Sequence, residues 1–309
     1  MSTLLLSHPA CLNHLTPAGH PERPDRLRAI EQALEDERFQ SLARVEAPLG
    51  PLDIITLCHP MDYIEAIRDA SPSAGLVRLD ADTAMSPGSF EAALRAVGGA
   101  KLAVDEVMTW KATNAFVATR PPGHHTETAR PMGFCLFNNA AIAARYAQKT
   151  YGVERAAIVD FDVHHGNGSQ DIFWSDKSVM YCSTHEMPLY PGTGAISERG
   201  DFNTIVNAPL SAGDGGEAFR EAFESVILPR LRDFKPDIII ISAGFDAHMR
   251  DPLANLNLVE ADFSWATKKL MEIADTTAKG RIVSLLEGGY DLQGLSRSVA
   301  AHVTALMHG

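Results

Sequence analysis

Cysteine is scarce in this chain of 309 residues, and no two cysteines form a C-x-x-C pair. The four lie far apart in the sequence, at Cys11, Cys58, Cys135 and Cys182. This spacing argues against a disulfide framework and against a structural zinc site of the cysteine type. It fits a reducing compartment, so we expect a cytoplasmic protein.

Long apolar runs and an excess of basic residues are also missing. The most apolar short run, at 238–241, is far below the roughly 20 residues of a membrane span, and the N-terminus does not have the pattern of a signal peptide. Lysine and arginine number 27 against 39 aspartates and glutamates, which gives a net charge of −12. Because no basic stripe offsets the repulsion from phosphate, we expect neither nucleic acid nor a membrane as a partner.

Short apolar runs alternate with longer helical segments along the chain. The runs typical of buried strands lie at 4–6, 115–118, 156–159, 179–182, 238–241 and 282–286. The segments typical of helices lie at 24–37, 89–108, 138–150, 217–233 and 260–278. No change of composition marks a boundary. The order predicts one α/β domain over residues 1–309 with a parallel sheet.

The most informative polar residues follow the predicted strand at 156–159. There the chain reads Asp160-Phe-Asp162-Val-His164-His165-Gly166-Asn167-Gly168. Residues two apart in an extended strand face the same way, so Asp160, Asp162 and His164 would share one face. Two carboxylates and an imidazole at one edge of a sheet call for a cation, and they suit Zn²⁺ or a similar divalent ion. A structural Asp–His pair is the alternative for this segment alone.

A second strand delivers a third carboxylate. Asp246 follows the apolar run at 238–241, in a loop that begins at Gly244. With Asp162 and His164 it makes three protein ligands, which is the number that catalytic zinc sites use while one position stays open. Taken alone, Asp246 suits a helix N-cap or a turn equally well.

Two further loops carry residues suited to acid–base chemistry. In Arg120-Pro-Pro-Gly-His124-His125, adjacent imidazoles in a rigid loop supply a base near neutral pH, although tandem histidines also occur as ordinary surface residues. Asp160 and Asn167 are candidates to orient the two rings. In Leu286-Glu-Gly-Gly-Tyr290 the glycines let the backbone approach closely, and the phenol would either donate to an oxyanion or simply pack.

Two aromatic residues lie on loops outside these motifs. Phe134 follows Pro131-Met-Gly133, and Tyr190 precedes Pro191-Gly192. They would wall a narrow tube for an aliphatic side chain, or they anchor their loops.

Together these motifs resemble the arginase/deacetylase superfamily, and within it the class II histone deacetylase-like amidohydrolases of bacteria. The resemblance begins at Gly19-His-Pro-Glu-Arg-Pro-Asp-Arg-Leu27 and includes Ser242-Ala-Gly-Phe-Asp246, so that five motifs in order cover almost the whole chain. It implies a single α/β domain with a central, mostly parallel sheet of about eight strands flanked by helices.

The resemblance also implies a role for each site residue. One catalytic Zn²⁺ would be held by Asp162, His164 and Asp246. His125 would be the general base and later the acid, with His124 as its electrostatic partner. Asp160 and Asn167 would orient His124 and His125 respectively, and Tyr290 would stabilise the transition state.

Two further sites follow from the resemblance. A structural K⁺ would lie near the zinc, bound mainly by main-chain groups of Asp160, Asp162, His164, Ser183 and Thr184. The acyl-lysine tunnel would be lined by Phe134, Tyr190, Leu253, Gly133 and Gly288. Tyrosine at position 190 stands where the family usually has phenylalanine.

The implied activity is a zinc-dependent deacetylase, which hydrolyses the amide of acetyl-lysine or a related acyl-lysine to a free amine and acetate through a metal-activated water. The substrate would be an acetylated lysine side chain or a small acetylated amine, and the oligomeric state stays open, a homo-oligomer included. Acetylpolyamine hydrolysis is the main alternative, although Leu253 after Asp251-Pro resembles the lysine-specific version. Arginase-like enzymes need aspartates where this chain has His248 and Gly166. A non-catalytic acyl-lysine-binding protein would be expected to lack some of these residues.

Overall fold

The computed structural model describes residues 2–308, and a parallel β-sheet forms its centre. The strands of this sheet are β1 Thr3–Ser7, β2 Ala43–Glu46, β5 Asn114–Val117, β6 Ala156–Asp160, β7 Val179–Glu186, β8 Ile205–Leu210, β9 Ile238–Ala243 and β10 Ile282–Leu286. Two short antiparallel strands, β3 Val77–Arg78 and β4 Ala84–Met85, form a separate ribbon. Within residues 2–308 the main sheet has eight strands in the order β2-β1-β5-β10-β9-β6-β7-β8, and every neighbouring pair is parallel.

Helices cover both faces of this sheet. The α-helices are α1 Asp25–Ala33, α2 Leu52–Ile55, α3 Met61–Asp69, α4 Ser89–Met108, α5 Asn139–Tyr151, α6 Asn167–Phe173, α7 Gly216–Ala222, α8 Leu228–Phe234, α9 Glu260–Thr277 and α10 Leu292–His308. Short 3₁₀ turns lie at Pro9–Asn13 and Glu37–Phe39, and a π-helical turn at Phe223–Ile227 joins α7 to α8. No helix within residues 2–308 combines the length and the apolar character that a bilayer crossing needs.

Alternate residues of the central strands enter two separate cores. In β9, Ile239 and Ile241 pack into one cluster, and Ile238 and Ile240 pack into the other. Because both faces of the sheet are covered, the strands need no polar alternation, which explains the continuous apolar runs in the sequence. The expected α/β fold with a parallel sheet of about eight strands is confirmed.

The six predicted strands are all present, but the two strands at the sheet edges were not predicted. Strand β2 is mostly exposed and carries Arg44 and Glu46, and β8 contains Asn207 and Pro209, so neither has the pattern of a buried strand. The predicted helix at 24–37 is wrong at its end. Helix α1 stops at Ala33, because Asp36 caps a 3₁₀ turn by accepting from the backbone N–H of Arg38.

The other helix predictions also differ from the structure. The predicted helix at 217–233 is interrupted by the π-helical turn, and four helices were not predicted: α2, α3, α6 and α10. Strands β5, β6, β9 and β10 are neighbours in the sheet. Their carboxyl ends therefore meet at one edge, where the motif loops begin.

Helix α4 crosses the chain at 48–50 so closely that only glycine fits at Gly98. A Cβ there would overlap the carbonyl oxygen of Pro48, whereas a Cβ at Gly99 would meet a side-chain methyl of Val117 at 2.9 Å. Backbone atoms cannot move aside as a side chain can.

We therefore expect Gly98→Ala to lower the free energy of unfolding by about 1–3 kcal/mol, despite alanine's better helix propensity. Gly99→Ala should have a smaller effect, because its two nearest neighbours are side-chain atoms of Val117 and Ala47, at 2.9 and 3.1 Å, and not a backbone oxygen. Urea denaturation followed by circular dichroism measures both values. Equal or greater stability of Gly98→Ala would contradict this account of the crossing.

Candidate active site

Three potential metal ligands converge at the carboxyl edge of the sheet. Nδ1 of His164 lies 3.1 Å from Oδ2 of Asp246 and 3.3 Å from Oδ1 of Asp162. One ligand atom from each of the three residues lies within 4.8 Å of the other two. Asp162 and Asp246 are 0% and 1% exposed and His164 is 8% exposed. The structure thus brings together the three residues predicted to bind zinc.

The segment that carries two of them is not an extended strand, as the spacing had suggested. Strand β6 ends at Asp160, and the chain then bends. Oδ1 of Asp160 accepts from the N–H of Asp162 at 3.1 Å, and Oδ1 of Asp162 accepts from the N–H of His164 at 2.9 Å. Such side-chain-to-backbone bonds two residues on are the usual cause of a turn. Oδ2 of Asp160 lies against Nδ1 of His124, and Asp160 is not part of the cluster formed by Asp162, His164 and Asp246.

Backbone groups fix the two carboxylates that converge with His164. Oδ2 of Asp162 accepts from the N–H of Gly288 at 2.8 Å, and Oδ1 of Asp246 accepts from the N–H of Val163 at 2.9 Å. A Cβ on Gly288 or on Gly244 would overlap these carboxylate oxygens. The glycines are therefore required by the close approach of the backbone to the carboxylates.

The cluster has too much negative charge for a buried position. Burial alone lowers the pKa of His164, but its hydrogen bonds with Asp162 and Asp246 raise it to about 10. Burial and the charge of Asp162 raise the pKa of Asp246 to about 7. Both shifts show that the site requires a positive charge between the carboxylates. Either a proton or a divalent cation meets that requirement, and nitrogen and carboxylate ligands fit Zn²⁺.

The two histidines of the Arg120–His125 loop have different partners. Nδ1 of His124 lies 3.0 Å from Oδ2 of Asp160, and Nδ1 of His125 lies 2.9 Å from Oδ1 of Asn167. Asn167 donates through Nδ2 to Glu127, so its oxygen faces His125. An amide oxygen only accepts, so Nδ1 of His125 is the donor. The other nitrogen, Nε2, is then free to accept a proton.

These partners separate the charges of the two rings. Burial lowers the pKa of His124, but the carboxylates of Asp160 and Asp162 outweigh it and raise the pKa well above the usual value. Burial and the neighbouring imidazoles of His124 and His164 lower the pKa of His125 well below its usual value. The pair therefore places a cationic ring beside a neutral one at neutral pH.

A cavity of about 260 Å³ opens above this cluster. Its lining includes the chemistry-bearing residues and the predicted wall residues: Asp82, His125, Gly133, Phe134, His164, Leu189, Tyr190, Leu253 and Tyr290. Gly288, predicted as a wall residue, instead lies at the foot of the site against the carboxylates. A larger open groove of about 900 Å³ runs along α7, but its lining contains none of the predicted site residues.

Tyr290 is held by two residues to which the sequence analysis gave no role. The fully buried guanidinium of Arg26 lies 5.0 Å from the centre of the Tyr290 ring and donates to the main-chain oxygens of Gly289 and Glu287. Oδ2 of Asp251 accepts from the N–H of Tyr290 at 2.7 Å. Both residues lie in quoted motifs, but Arg26 stands among other charged residues at the start of α1, so the sequence carried no signal that it is buried.

The residues predicted to bind potassium lie at the end of β6, in the loop that follows it, and within the second half of β7. Asp160 pairs with Ser183 in the register of these strands. The Ser183 hydroxyl bonds to Nδ1 of His185 at 2.8 Å, and the buried Thr184 hydroxyl has no hydrogen-bond partner among residues 2–308. The set offers the oxygen donors that a hard cation prefers.

Known proteins are similar to this chain in sequence. The family model described as the histone deacetylase domain matches residues 20–306, so the chain belongs to the histone deacetylase family. It is 42% identical to histone deacetylase 10, chloroplastic, from Oryza sativa subsp. japonica, over 91% of this chain and 68% of the relative. It is 36% identical to a histone deacetylase-like amidohydrolase from Pseudomonas aeruginosa, over 88% of this chain and 73% of the relative.

A solved structure shows the same architecture. The crystal structure of the HDA15 HD domain has a TM-score of 0.94 to this chain at 37% identity, and the match covers 99% of this chain and 89% of the other. This likeness confirms the arginase/deacetylase fold that the motifs implied. The chain is a hydrolase of the histone deacetylase family.

The ligand cluster generates a test that does not depend on turnover. We expect zinc-loaded protein to keep about one Zn²⁺ per chain after dialysis, since three buried ligands converge on one point. Asp246→Ala should lose it, because two ligands do not form a site. Asp262→Asn, which changes a buried carboxylate at the start of α9, is the control and should keep its zinc. Metal analysis showing equal zinc in all three proteins would place the ion elsewhere.

Proposed function

We propose that this protein is a zinc-dependent deacetylase that hydrolyses the amide of acetyl-lysine, or of a related acyl-lysine, to a free amine and acetate. One observation carries the proposal: the convergent ligands Asp162, His164 and Asp246 lie at the foot of a cavity that His125 and Tyr290 also line. The family, and the deacetylase names of its relatives, support it.

The same three residues would hold the zinc. When bound there, zinc polarises the amide carbonyl and lowers the pKa of water from 15.7 towards about 7. We also propose a structural K⁺ beside Asp160 and Ser183, supported by the orphaned hydroxyl of Thr184 next to them.

The histidine pair moves the proton. Neutral His125 accepts a proton at Nε2 from the attacking water, because its Nδ1 already donates to Asn167. The C–O bond forms first and leaves the former carbonyl oxygen negative. The C–N bond breaks as the carbonyl re-forms, and His125 gives the proton to the leaving amine nitrogen. His124, held as a cation by Asp160, stabilises the negative charge that develops nearby.

Tyr290 supplies the second stabilising group. Its ring lines the cavity, and burial raises its pKa well above the usual value, so the phenol stays protonated at neutral pH. A protonated phenol donates a hydrogen bond to the carbonyl oxygen as that oxygen becomes negative. Arg26 and Asp251 hold the tyrosine in place by bonding to the C=O and the N–H of the peptide group that precedes it.

The cavity walls favour an aliphatic chain. Phe134, Leu189, Tyr190 and Leu253 supply apolar surface around a narrow space of about 260 Å³. Acetylpolyamine hydrolysis is the second candidate, because the carboxylate of Asp82 also lines the cavity and would attract a second amine.

We further propose a cytoplasmic location, which the four free, buried cysteines suit.

Removal of the phenol oxygen tests the role of Tyr290. We expect Tyr290→Phe to lower kcat by about 10²–10³-fold, the usual cost of one oxyanion donor. Its zinc content should match the wild type, since Tyr290 is not among the ligands. Tyr151→Phe is the matched control: this phenol bonds to Asp105 on α4, away from the site. Wild-type turnover by Tyr290→Phe would refute the role.

A substrate panel separates the two candidate activities. Zinc-loaded protein is assayed with acetyl-lysine peptides, longer acyl-lysine peptides and acetylputrescine. We expect the highest kcat/KM for a lysine substrate, because Leu253 contributes apolar surface to the wall and not a further carboxylate. If acetylputrescine is cleaved far faster than every peptide, the preferred substrate class is wrong and the polyamine alternative replaces it.

A further inference from the structure

Glu287 is a buried carboxylate to which the proposed chemistry gives no role. It follows β10 directly and is 1% exposed. Oε2 accepts from the backbone N–H of Gly123 at 2.7 Å and from that of His124 at 3.2 Å, and Oε1 accepts from the hydroxyl of Ser242 at 3.1 Å. Burying a carboxylate is costly, so its presence at such a position calls for a structural explanation.

The residue that Glu287 holds is also held from the other side. The carbonyl oxygen of His124 accepts from the N–H groups of Gly168 and Ser169, at 3.0 and 3.2 Å, in the first turn of α6. Glu287 holds the N–H of His124, so both backbone polar groups of this residue have a fixed partner. The positions of the His124 and His125 rings therefore depend on two sets of backbone hydrogen bonds, one from α6 and one from Glu287 at the end of β10.

The loop has little room to move sideways. A Cβ on Gly123 would lie 2.6 Å from the backbone nitrogen of Asn139, so the loop already lies directly against the start of α5. Because α5 blocks movement of the loop on that side, the length of the Glu287 side chain determines where the loop lies.

We propose that Glu287 is a positioning residue: its carboxylate fixes the backbone of Gly123 and His124, and thereby the places of the His124 and His125 rings relative to Asp160 and Asn167. The inference rests on the proposed function for its effect on turnover. A misplacement of about 1 Å in a catalytic group costs on the order of 10²-fold in rate. Reach matters more than charge here, because the groups that Glu287 contacts are neutral donors. Its charge also raises the pKa of His124, but the carboxylates of Asp160 and Asp162 contribute more.

Two substitutions separate reach from charge. Glu287→Gln keeps the length and one oxygen that can accept from the loop, and its amide can face the Ser242 hydroxyl. It should keep kcat within about five-fold of wild type. Glu287→Asp keeps the charge but withdraws the oxygens by one methylene. It should lower kcat by about 10–10²-fold with KM nearly unchanged and one zinc per chain retained.

Histidine-ring spectra give a readout that needs no turnover. In long-range ¹H–¹⁵N spectra of zinc-loaded protein, we expect Glu287→Asp to shift the ring nitrogens of His124 and His125 and to leave those of His302 unchanged. Glu287→Gln should leave all three near their wild-type positions. Asp262→Asn controls for the loss of a buried carboxylate that accepts from a backbone N–H. Asp262→Asn should change neither the histidine-ring spectra nor kcat.

Two outcomes would overturn the inference. One is a loss of kcat in Glu287→Gln with full activity in Glu287→Asp, which would show that charge matters and reach does not. The other is unchanged His124 and His125 signals in Glu287→Asp. If the wild type hydrolyses none of the substrates, the proposed function fails, but the ring spectra still decide whether Glu287 positions the loop.

Discussion

The repulsion between two buried carboxylates determines how this end of the molecule is built. Asp162 and Asp246 lie against one imidazole at the edge of the sheet with almost no access to solvent. Their charge is tolerable only with a cation between them and with donors around them. Backbone N–H groups of Val163 and Gly288 supply those donors, and each comes from a loop that follows a different strand. The arrangement of parallel strands thus makes a metal site possible.

The two adjacent histidines of the site, His124 and His125, differ in charge. His124 and His125 are equally buried, and their rings lie 4.0 Å apart, yet their pKa values shift in opposite directions. The difference comes from their partners, because Asp160 is charged and Asn167 is not. Burial alone would make both rings neutral. The choice of aspartate or asparagine behind each ring therefore divides the roles of charge stabiliser and base between them.

Short sequence patterns predicted much of the fold and of the site, but not all of either. The central strands followed from their apolar runs, and the ligands from their positions after strands. Strand β8 was missed because Asn207 and Pro209 break its pattern. The contacts of Arg26 with Gly289 and of Glu287 with Gly123 join residues 263 and 164 positions apart. No local pattern encodes such distances, because they depend on the sheet order.

The account depends on one ion bound by three side chains. Crystals of zinc-loaded protein, measured at the zinc absorption edge, would locate that ion directly. We expect one anomalous peak about 2.0–2.2 Å from a ring nitrogen of His164 and from carboxylate oxygens of Asp162 and Asp246. A peak at any other place, or three side chains that turn away from an empty centre in active crystals, would contradict it.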